Sequence, residues 1–325
     1  MLDNVKKYWF VIIIGLVFVV FIGLFSADQI NSVLKGKKVD GKEVVAEIKN
    51  ENYFVDDYFK DLQASIGDGQ LYSLFQKSVL RSIETPEDVV KSSKENAEAL
   101  LNYTAQNKGQ AGVEEINAIL ISMGYSGTDE LNLYYEDMAK YNVIIKEYAL
   151  ANKETVLDPY VKEAKPRLVS HILISMDDPE KPTEAQQSKI DEVNKRIANG
   201  EKFADIATAL SDDQASAVEG GSVGYTDYST QFVEEFLKAA LATEQGKLSE
   251  WVNTNYGRHI IKVDSTDITA IIESNEADFV QAITSYDADL AYKAIWKKAE
   301  ALEITFGSEE IKTRLMDFMQ IKGDA

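Results

Sequence analysis

The sequence predicts an α+β protein: a compact module of strands and helices between two helical segments, behind one N-terminal transmembrane helix. Three observations predict it. The chain's two histidines, His171 and His259, each sit in a short apolar, strand-like word: Val169-Ser170-His171-Ile172-Leu173-Ile174 and Tyr256-Gly257-Arg258-His259-Ile260-Ile261. Helical spacing of apolar residues dominates before Lys165-Pro166 and returns after Thr266. Tyr8 to Phe25 is an uncharged apolar run rich in Phe, Val, Ile and Leu.

That run is long enough to span a hydrocarbon core, which takes roughly 20 apolar residues as a helix. Cleavage after Ala27 would put Phe25 where a signal peptidase wants a small residue, so residues 1–27 read as an uncleaved anchor. Lys6 and Lys7 precede the run, and Lys35, Lys37 and Lys38 follow it, so charge bias alone does not orient the span.

A chain of 325 residues with 45% hydrophobic side chains can build about two cored domains. The formal net charge of −20 argues against a nucleic-acid partner, which needs a basic face to meet phosphate. Cysteine is absent, which excludes disulfides, thiolate metal sites, thiol nucleophiles and lipidated-cysteine anchoring.

After a polar linker (36–41), Val44 to Ile48 reads as a strand. A turn over Lys49 to Asn52 then leads into a helix carrying Tyr58, Phe59, Leu62 and Ile66. Thr85-Pro86-Glu87-Asp88 reads as a helix start, with Thr85 as cap and Pro86 in the first turn. A helix from about Val113 ends at Gly124, and Thr128-Asp129-Glu130 opens a long one through Tyr148. Lys165-Pro166 breaks the pattern, which sets the domains at 28–165, 166–265 and 266–325.

Within the middle module, strand 168–174 precedes the capping box Thr183-Glu184-Ala185-Gln186. The helix that follows buries Ile190, Val193 and Ile197 and ends at Asn199-Gly200. A shorter helix presents Phe203, Ile206, Ala207 and Leu210. Next come a glycine-punctuated strand (220–226), a helix with Val233, Phe236, Leu237 and Ala240, and strands near 248–254 and 257–264. A helical stretch (276–301), a brief strand Ile304-Thr305-Phe306 and a last helix (309–320) complete the chain. A residue type as sparse as histidine, placed at two strand positions, points to one site assembled from the first and last strands of the module.

The order of these words is similar to that of a known family. Ser170-His171-Ile172-Leu173, Ser211-Asp212-Asp213, Gly220-Gly221-Ser222-Val223-Gly224, Gln231-Phe232 through Phe236, and Thr254 to Ile261 resemble the parvulin peptidyl-prolyl isomerases. The helical flanks resemble those of PrsA-type foldases. The resemblance implies an antiparallel four-stranded sheet with surrounding helices, and a C-terminal segment that packs with residues 28–165. It implies that His171 and His259 pack together at the base of the site and share hydrogen bonds, that Asp213 occupies the position that is Asp or Cys in the family, and that Thr254 adds a hydroxyl to the histidine network, the four forming the catalytic set. Val223, Gln231, Phe232 and Phe236 would bind the proline. It also implies unfolded secreted polypeptides with Xaa-Pro bonds as clients, no cofactor or metal, and a chain lying mostly outside the cytoplasmic membrane.

Two positions depart from the family pattern: Ser222 stands where relatives prefer Asp, and Thr226 where they carry an aromatic residue. They support an alternative, a non-catalytic holdase with a degenerate parvulin domain. The acidic stretch Ser175-Met176-Asp177-Asp178-Pro179-Glu180, where phospho-specific relatives place basic residues, would repel a phosphate.

Other chemistries fit poorly. Gly220 to Gly224 satisfies G-x-S-x-G, but the polar, turn-like Tyr225 to Ser229 stands where a nucleophile elbow needs a helix. Two distant histidines without H-E-x-x-H or cysteine do not make a zinc site. The pair could instead be a purely structural, mutually bonded feature of the core. The tyrosines clustered at Tyr134, Tyr135, Tyr141 and Tyr148 suit core packing first and client contact second.

Overall fold

A computed structural model describes residues 37–49 and 51–321, so the apolar run Tyr8 to Phe25 lies outside the described residues. Among the described residues no helix is long and apolar enough to cross a membrane. The chain divides into two compact units, Met1–Gln70 and Leu71–Ala325.

The first unit holds a three-stranded antiparallel sheet of β1 (Lys38–Val39), β2 (Lys42–Ile48) and β3 (Glu51–Phe54), then helix α1 (Val55–Ser65). Glu51 and Asn52, expected in a turn, belong to a strand, because Ile48 and Glu47 pair with them in antiparallel register. Tyr58, Phe59 and Leu62 of α1 stay exposed.

Four helices, α2 (Asp68–Arg81, in the second unit from Leu71), α3 (Glu87–Ser122), α4 (Leu131–Ala151) and α5 (Asp158–Ala164), precede the mixed module. Pro86, not Thr85, occupies the N-cap of α3, and no side chain caps that end. The fixed φ of proline pre-sets the entry just outside the first turn. Helix α3 is interrupted at Gly109 (φ 66°, ψ −163°), so the stretch expected from Val113 is the second limb of a kinked helix. Lys165 turns left-handed (φ 53°, ψ 53°) ahead of Pro166 and ends α5.

The mixed module contains β4 (Arg167–Ser175), α6 (Glu184–Ala198), α7 (Phe203–Leu210), the short α8 (Gln214–Ala217), β5 (Ser222–Thr226), α9 (Glu234–Ala242), β6 (Val252–Thr254) and β7 (Gly257–Ser265). Its four strands form an antiparallel sheet in the order β5-β4-β7-β6, so the first and last long strands are neighbours. Strand β6 is shorter than expected; upstream, an isolated bridge from Leu248 to Lys262 and backbone hydrogen bonds from Gly246 to Val263 and Ser249 to Ile261 tie the chain to β7. Both bonds of the Thr183–Gln186 capping box form.

Side-chain alternation sorts the sheet into two faces. Ile172, Ile174 and Ile260 pack with Ile190, Val193, Phe203, Ile206 and Ala207 of α6 and α7. Val169 and Ile261 pack instead with Phe236 and Ala240 of α9. His171 and His259 follow the period of Val169 and Ile261 and so share the α9 face.

The C-terminal stretch is three helices, α10 (Ile268–Ser274), α11 (Glu276–Tyr286) and α12 (Leu290–Ala301), followed by α13 (Glu309–Phe318). The expected strand Ile304-Thr305-Phe306 is absent. Among the described residues no strand pairs with this stretch, and Phe306 instead stacks on Trp296 (centroids 5.9 Å apart) and Phe75 (6.2 Å). One core joins Tyr72, Phe75, Ile145 and Tyr160 of the helices before the module to Phe279, Ile283, Leu290 and Ile295 of those after it.

Candidate functional site

Strands β4 and β7 set His171 opposite Ile261 and Leu173 opposite His259, which makes the imidazoles diagonal neighbours on one face. Both are 5% exposed, and their rings stack at an interplanar angle of 15° with Nδ1 to Nδ1 at 3.2 Å.

Asp213 reaches them from the turn before α8. The motif around it explains its aim. Ser211 Oγ accepts from the backbone N–H groups of Leu173 (3.1 Å) and Asp213 (3.3 Å), and the Asp212 N–H donates to Leu173 O (2.8 Å). Asp212 Oδ2 accepts from the Ser175 N–H at 2.9 Å, and its carboxylate pairs with Lys189. The turn is thus stitched to β4, and Asp213 Oδ2 lands 2.8 Å from His171 Nε2. Asp213 Oδ1 caps α8 by accepting from the Ala215 N–H at 3.2 Å. The carboxylate therefore serves both the cap and the histidine.

Donors and acceptors assign the protons along this chain. The Tyr256 N–H donates to Thr254 Oγ1 (3.1 Å), leaving the Thr254 hydroxyl to donate to His259 Nε2 (2.8 Å). His259 Nδ1–H then donates to His171 Nδ1, and His171 Nε2–H to Asp213. An ionised carboxylate only accepts, so the order cannot be reversed without loss of a bond. Burial lowers the His171 pKa against the opposing pull of Asp213. Burial, together with the neighbouring His171, brings His259 down to about 4. For Asp213 burial pushes upward, but hydrogen bonds from Ser216 and His171 outweigh it and hold the carboxyl below its usual range. Two neutral imidazoles and one carboxylate result.

Over this base lies a cavity of about 230 Å³, lined by His171, Asp213 and His259 on its polar side and by Val223, Phe232, Val233 and Phe236 on its apolar side. Gln231 and Tyr256, both exposed, complete its rim. Phe236 is 4% exposed and stands edge-on to both imidazoles (centroids 5.3 Å from each) and to Phe232 (4.9 Å). The structure thus brings His171, Asp213, His259, Val223, Gln231, Phe232 and Phe236 to one cavity, with Thr254 bonded behind it. A slot this size with one greasy wall can hold a proline ring.

Gly221 allows β5 to approach β4. At φ 84° its N–H donates to Ser216 O (2.8 Å), and its carbonyl accepts from the His171 N–H (2.8 Å). Ser222 Oγ accepts from the Gly224 N–H at 3.3 Å, so the serine bridges the start of β5. Thr226 is fully buried, and among the described residues its hydroxyl finds no hydrogen-bond partner.

Ser216, Val233 and Tyr256 were not among the expected site residues. Ser216 Oγ donates to Asp213 Oδ2 (2.6 Å) and lies 3.1 Å from His171 Nε2. Its signal was the three-residue spacing from Asp213, which matters only once α8 forms. Tyr256 was visible within the second histidine word. Among the described residues no cluster could hold a metal ion.

Residues 160–267 match the family model described as PPIC-type PPIASE domain. The chain is 27% identical over 230 residues to a foldase protein PrsA of Geobacillus kaustophilus, covering 69% of this chain and 71% of the relative. It is 31% identical over 206 residues to foldase protein PrsA 3 of Bacillus anthracis, covering 63% of each chain. A crystal structure of PrsA from Bacillus subtilis is 22% identical, with a TM-score of 0.43 over 84% of this chain and 98% of that one.

Proposed function

We propose, from the premise that this chain is a PrsA-like, parvulin-type peptidyl-prolyl isomerase and foldase, that it acts on unfolded secreted or surface proteins outside the cytoplasmic membrane, held there by residues 8–25. The observation that carries this reading is the joining, in one cavity, of an apolar wall with the Asp213–His171–His259 array.

Rotation about an Xaa-Pro bond faces a barrier of about 18–20 kcal/mol, because the amide loses its resonance at the twisted midpoint. No nucleophile is required. Phe232, Phe236, Val223 and Val233 grip the proline ring and fix it against the rest of the chain. The planar amide carries partial negative charge on its oxygen, and the twisted amide carries less. The Asp213 carboxylate, placed beside that oxygen, penalises the planar form more than the twisted one and so favours the transition state. His171, with His259 and Thr254 behind it, holds the carboxylate in place and keeps it ionised. The pair does no proton transfer. Gln231 at the rim contacts the client backbone.

Residues 28–165 and 266–325 serve as chaperone-like arms around the 166–265 isomerase domain. For residues 71–165 and 266–321, the core that unites helices before and after the module supports this reading. The acidic stretch after β4, with Asp177, Asp178 and Glu180 exposed, supports unphosphorylated clients.

A proline tetrapeptide assay on the purified protein tests the proposal. Acceleration that Phe232→Ala and Asp213→Ala both weaken is expected. Wild-type protein that is folded yet leaves the uncatalysed rate unchanged refutes it. Protease shaving of intact cells tests the sidedness, with loss of the 37–321 portion as the expected result.

A further inference from the structure

A second cleft, about 400 Å³, adjoins the proline cavity and belongs to no step described so far. One wall is three consecutive residues of β5, Val223, Gly224 and Tyr225. The other is one face of α11, formed by Asp278, Gln281, Ala282 and Ser285, at helical spacings of three, four and seven. Val223 and Gln231 line both this cleft and the proline cavity, so the two are continuous.

Strand β5 is the edge of its sheet. Strand β4 pairs with one side, and among the described residues no strand pairs with the other. A strand edge offers main-chain donors and acceptors to an extended segment laid alongside it. The cleft is also acidic. Asp278 is exposed, and among the described residues the nearby Lys146 pairs with Glu276, with no cation in ion-pair reach of Asp278. Asp227, at the end of the cleft, is 1% exposed and already accepts from Tyr160, Tyr225 and Ser229, so it contributes charge more than free acceptors.

We propose that this cleft is a client subsite: the stretch flanking the proline lies along the free edge of β5 and places a lysine or arginine against Asp278. The proposal rests on the proline cavity being the isomerase site. Strand rise is about 3.3 Å per residue, so Val223 to Tyr225 accommodates two or three client residues, and the basic side chain falls roughly two to four positions from the proline. Continuity with the proline cavity and opposite charge single out an unfolded basic segment as the occupant. An exposed pair of this kind contributes modestly and is screened by salt.

The test uses the full chain and proline peptides carrying lysine or glutamate at each of the second to fourth positions on either side. Isomerisation and the anisotropy of labelled peptides are both measured. At one of these positions lysine should lower KM and Kd by about threefold to tenfold relative to glutamate, and the gap should shrink at high salt. Asp278→Lys should reverse that preference, whereas Asp278→Asn should abolish it. A preference that survives Asp278→Lys, or none at any position, overturns the subsite. Wild-type protein that binds the lysine peptides with the Asp278-dependent preference but isomerises none would keep the subsite and sink the catalytic reading instead.

Discussion

The Nδ1 atoms of His171 and His259 face each other at 3.2 Å, and only one of them can carry a proton without breaking the contact. A proton added to His171 goes to Nδ1 and puts N–H against N–H, and one added to His259 goes to Nε2 and faces the hydroxyl proton of Thr254. In the unfolded chain both rings take up a proton near pH 6.5, whereas the folded chain resists until about 4 for His259, with His171 lowered too. Over that interval the unfolded state binds more protons, so stability falls as pH drops from about 6.5 towards 4, where the His259 contribution is spent. The His259 shift alone corresponds to a loss on the order of 3 kcal/mol. Denaturant midpoints across this range check it. The ¹⁵N shifts at pH 7 should show His259 protonated on Nδ1 and His171 on Nε2; the opposite tautomers would refute the assigned chain.

Asp213→Ala removes the carboxylate beside the pocket and the cap of α8 together. It should lower kcat/KM for proline peptides at least about tenfold, or roughly 1.4 kcal/mol in the barrier. Asp213→Asn keeps the cap acceptor, since its amide oxygen can still take the Ala215 N–H, but removes the charge and turns its NH2 towards the His171 Nε2–H, so that bond is lost. If the carboxylate charge matters, Asn should be nearly as slow as Ala while unfolding closer to wild type. An Asn variant with wild-type kcat would remove Asp213 from the chemistry.

Phe236 is wedged edge-on between both imidazoles and Phe232. Phe236→Ala opens a cavity beneath the proline slot and should cost about 3–5 kcal/mol of stability. Phe236→Leu keeps most of the volume and should fold, with isomerase activity down several-fold through KM. Unchanged KM in the folded leucine variant would show that the ring does not touch the client's proline.

Much of this site was legible because its signals are local. Alternation placed both histidines at strand positions, the Thr183–Gln186 spacing marked a helix start, and Lys165-Pro166 marked a break. What escaped depends on distant partners. Ile304-Thr305-Phe306 has strand-like residues, yet a strand needs a neighbour's edge, and the stacking of Phe306 on Trp296 settles the segment as coil. Glu51 and Asn52 are polar and turn-like alone, and become a strand only because Ile48 and Glu47 pair with them. Pro86 illustrates a one-residue ambiguity, since its fixed φ suits the cap as well as the first turn. The role of Ser216 required the fold of α8 onto His171.

Tyr160 ties the helices to the rim of the pocket. Its hydroxyl donates to Asp227 Oδ2 (3.1 Å) beside that of Tyr225 (3.2 Å), while Asp227 Oδ1 accepts from the Ser229 N–H (2.8 Å) just before Gln231 and Phe232. Tyr160→Phe leaves a buried carboxylate short of one donor, at a cost of about 1–3 kcal/mol. The loop 227–232 should then exchange its amide hydrogens faster, and peptide KM should rise with little change in kcat. Loss of stability with unchanged exchange in that loop would make Tyr160 a core residue only.

Gly221 and Gly200 separate steric from conformational demands on a left-handed glycine. Both have positive φ, 84° and 76°. A Cβ on Gly200 meets nothing within 4 Å, so Gly200→Ala should cost only the left-handed backbone penalty, about 1–2 kcal/mol. A Cβ on Gly221 would strike the carbonyl oxygen of His171 and come within 2.8 Å of the Ala207 Cβ. Neither neighbour can give way freely, because β4 is an inner strand and Ala207 is fully buried. Gly221→Ala must therefore push β5 from β4 at the residue that carries the first imidazole. Thermal unfolding should place it clearly below Gly200→Ala, and the peptide assay should show a loss of isomerase activity that Gly200→Ala does not share. Equal melting temperatures for the two variants would mean that β5 can retreat at no cost and that the close approach at His171 is not required.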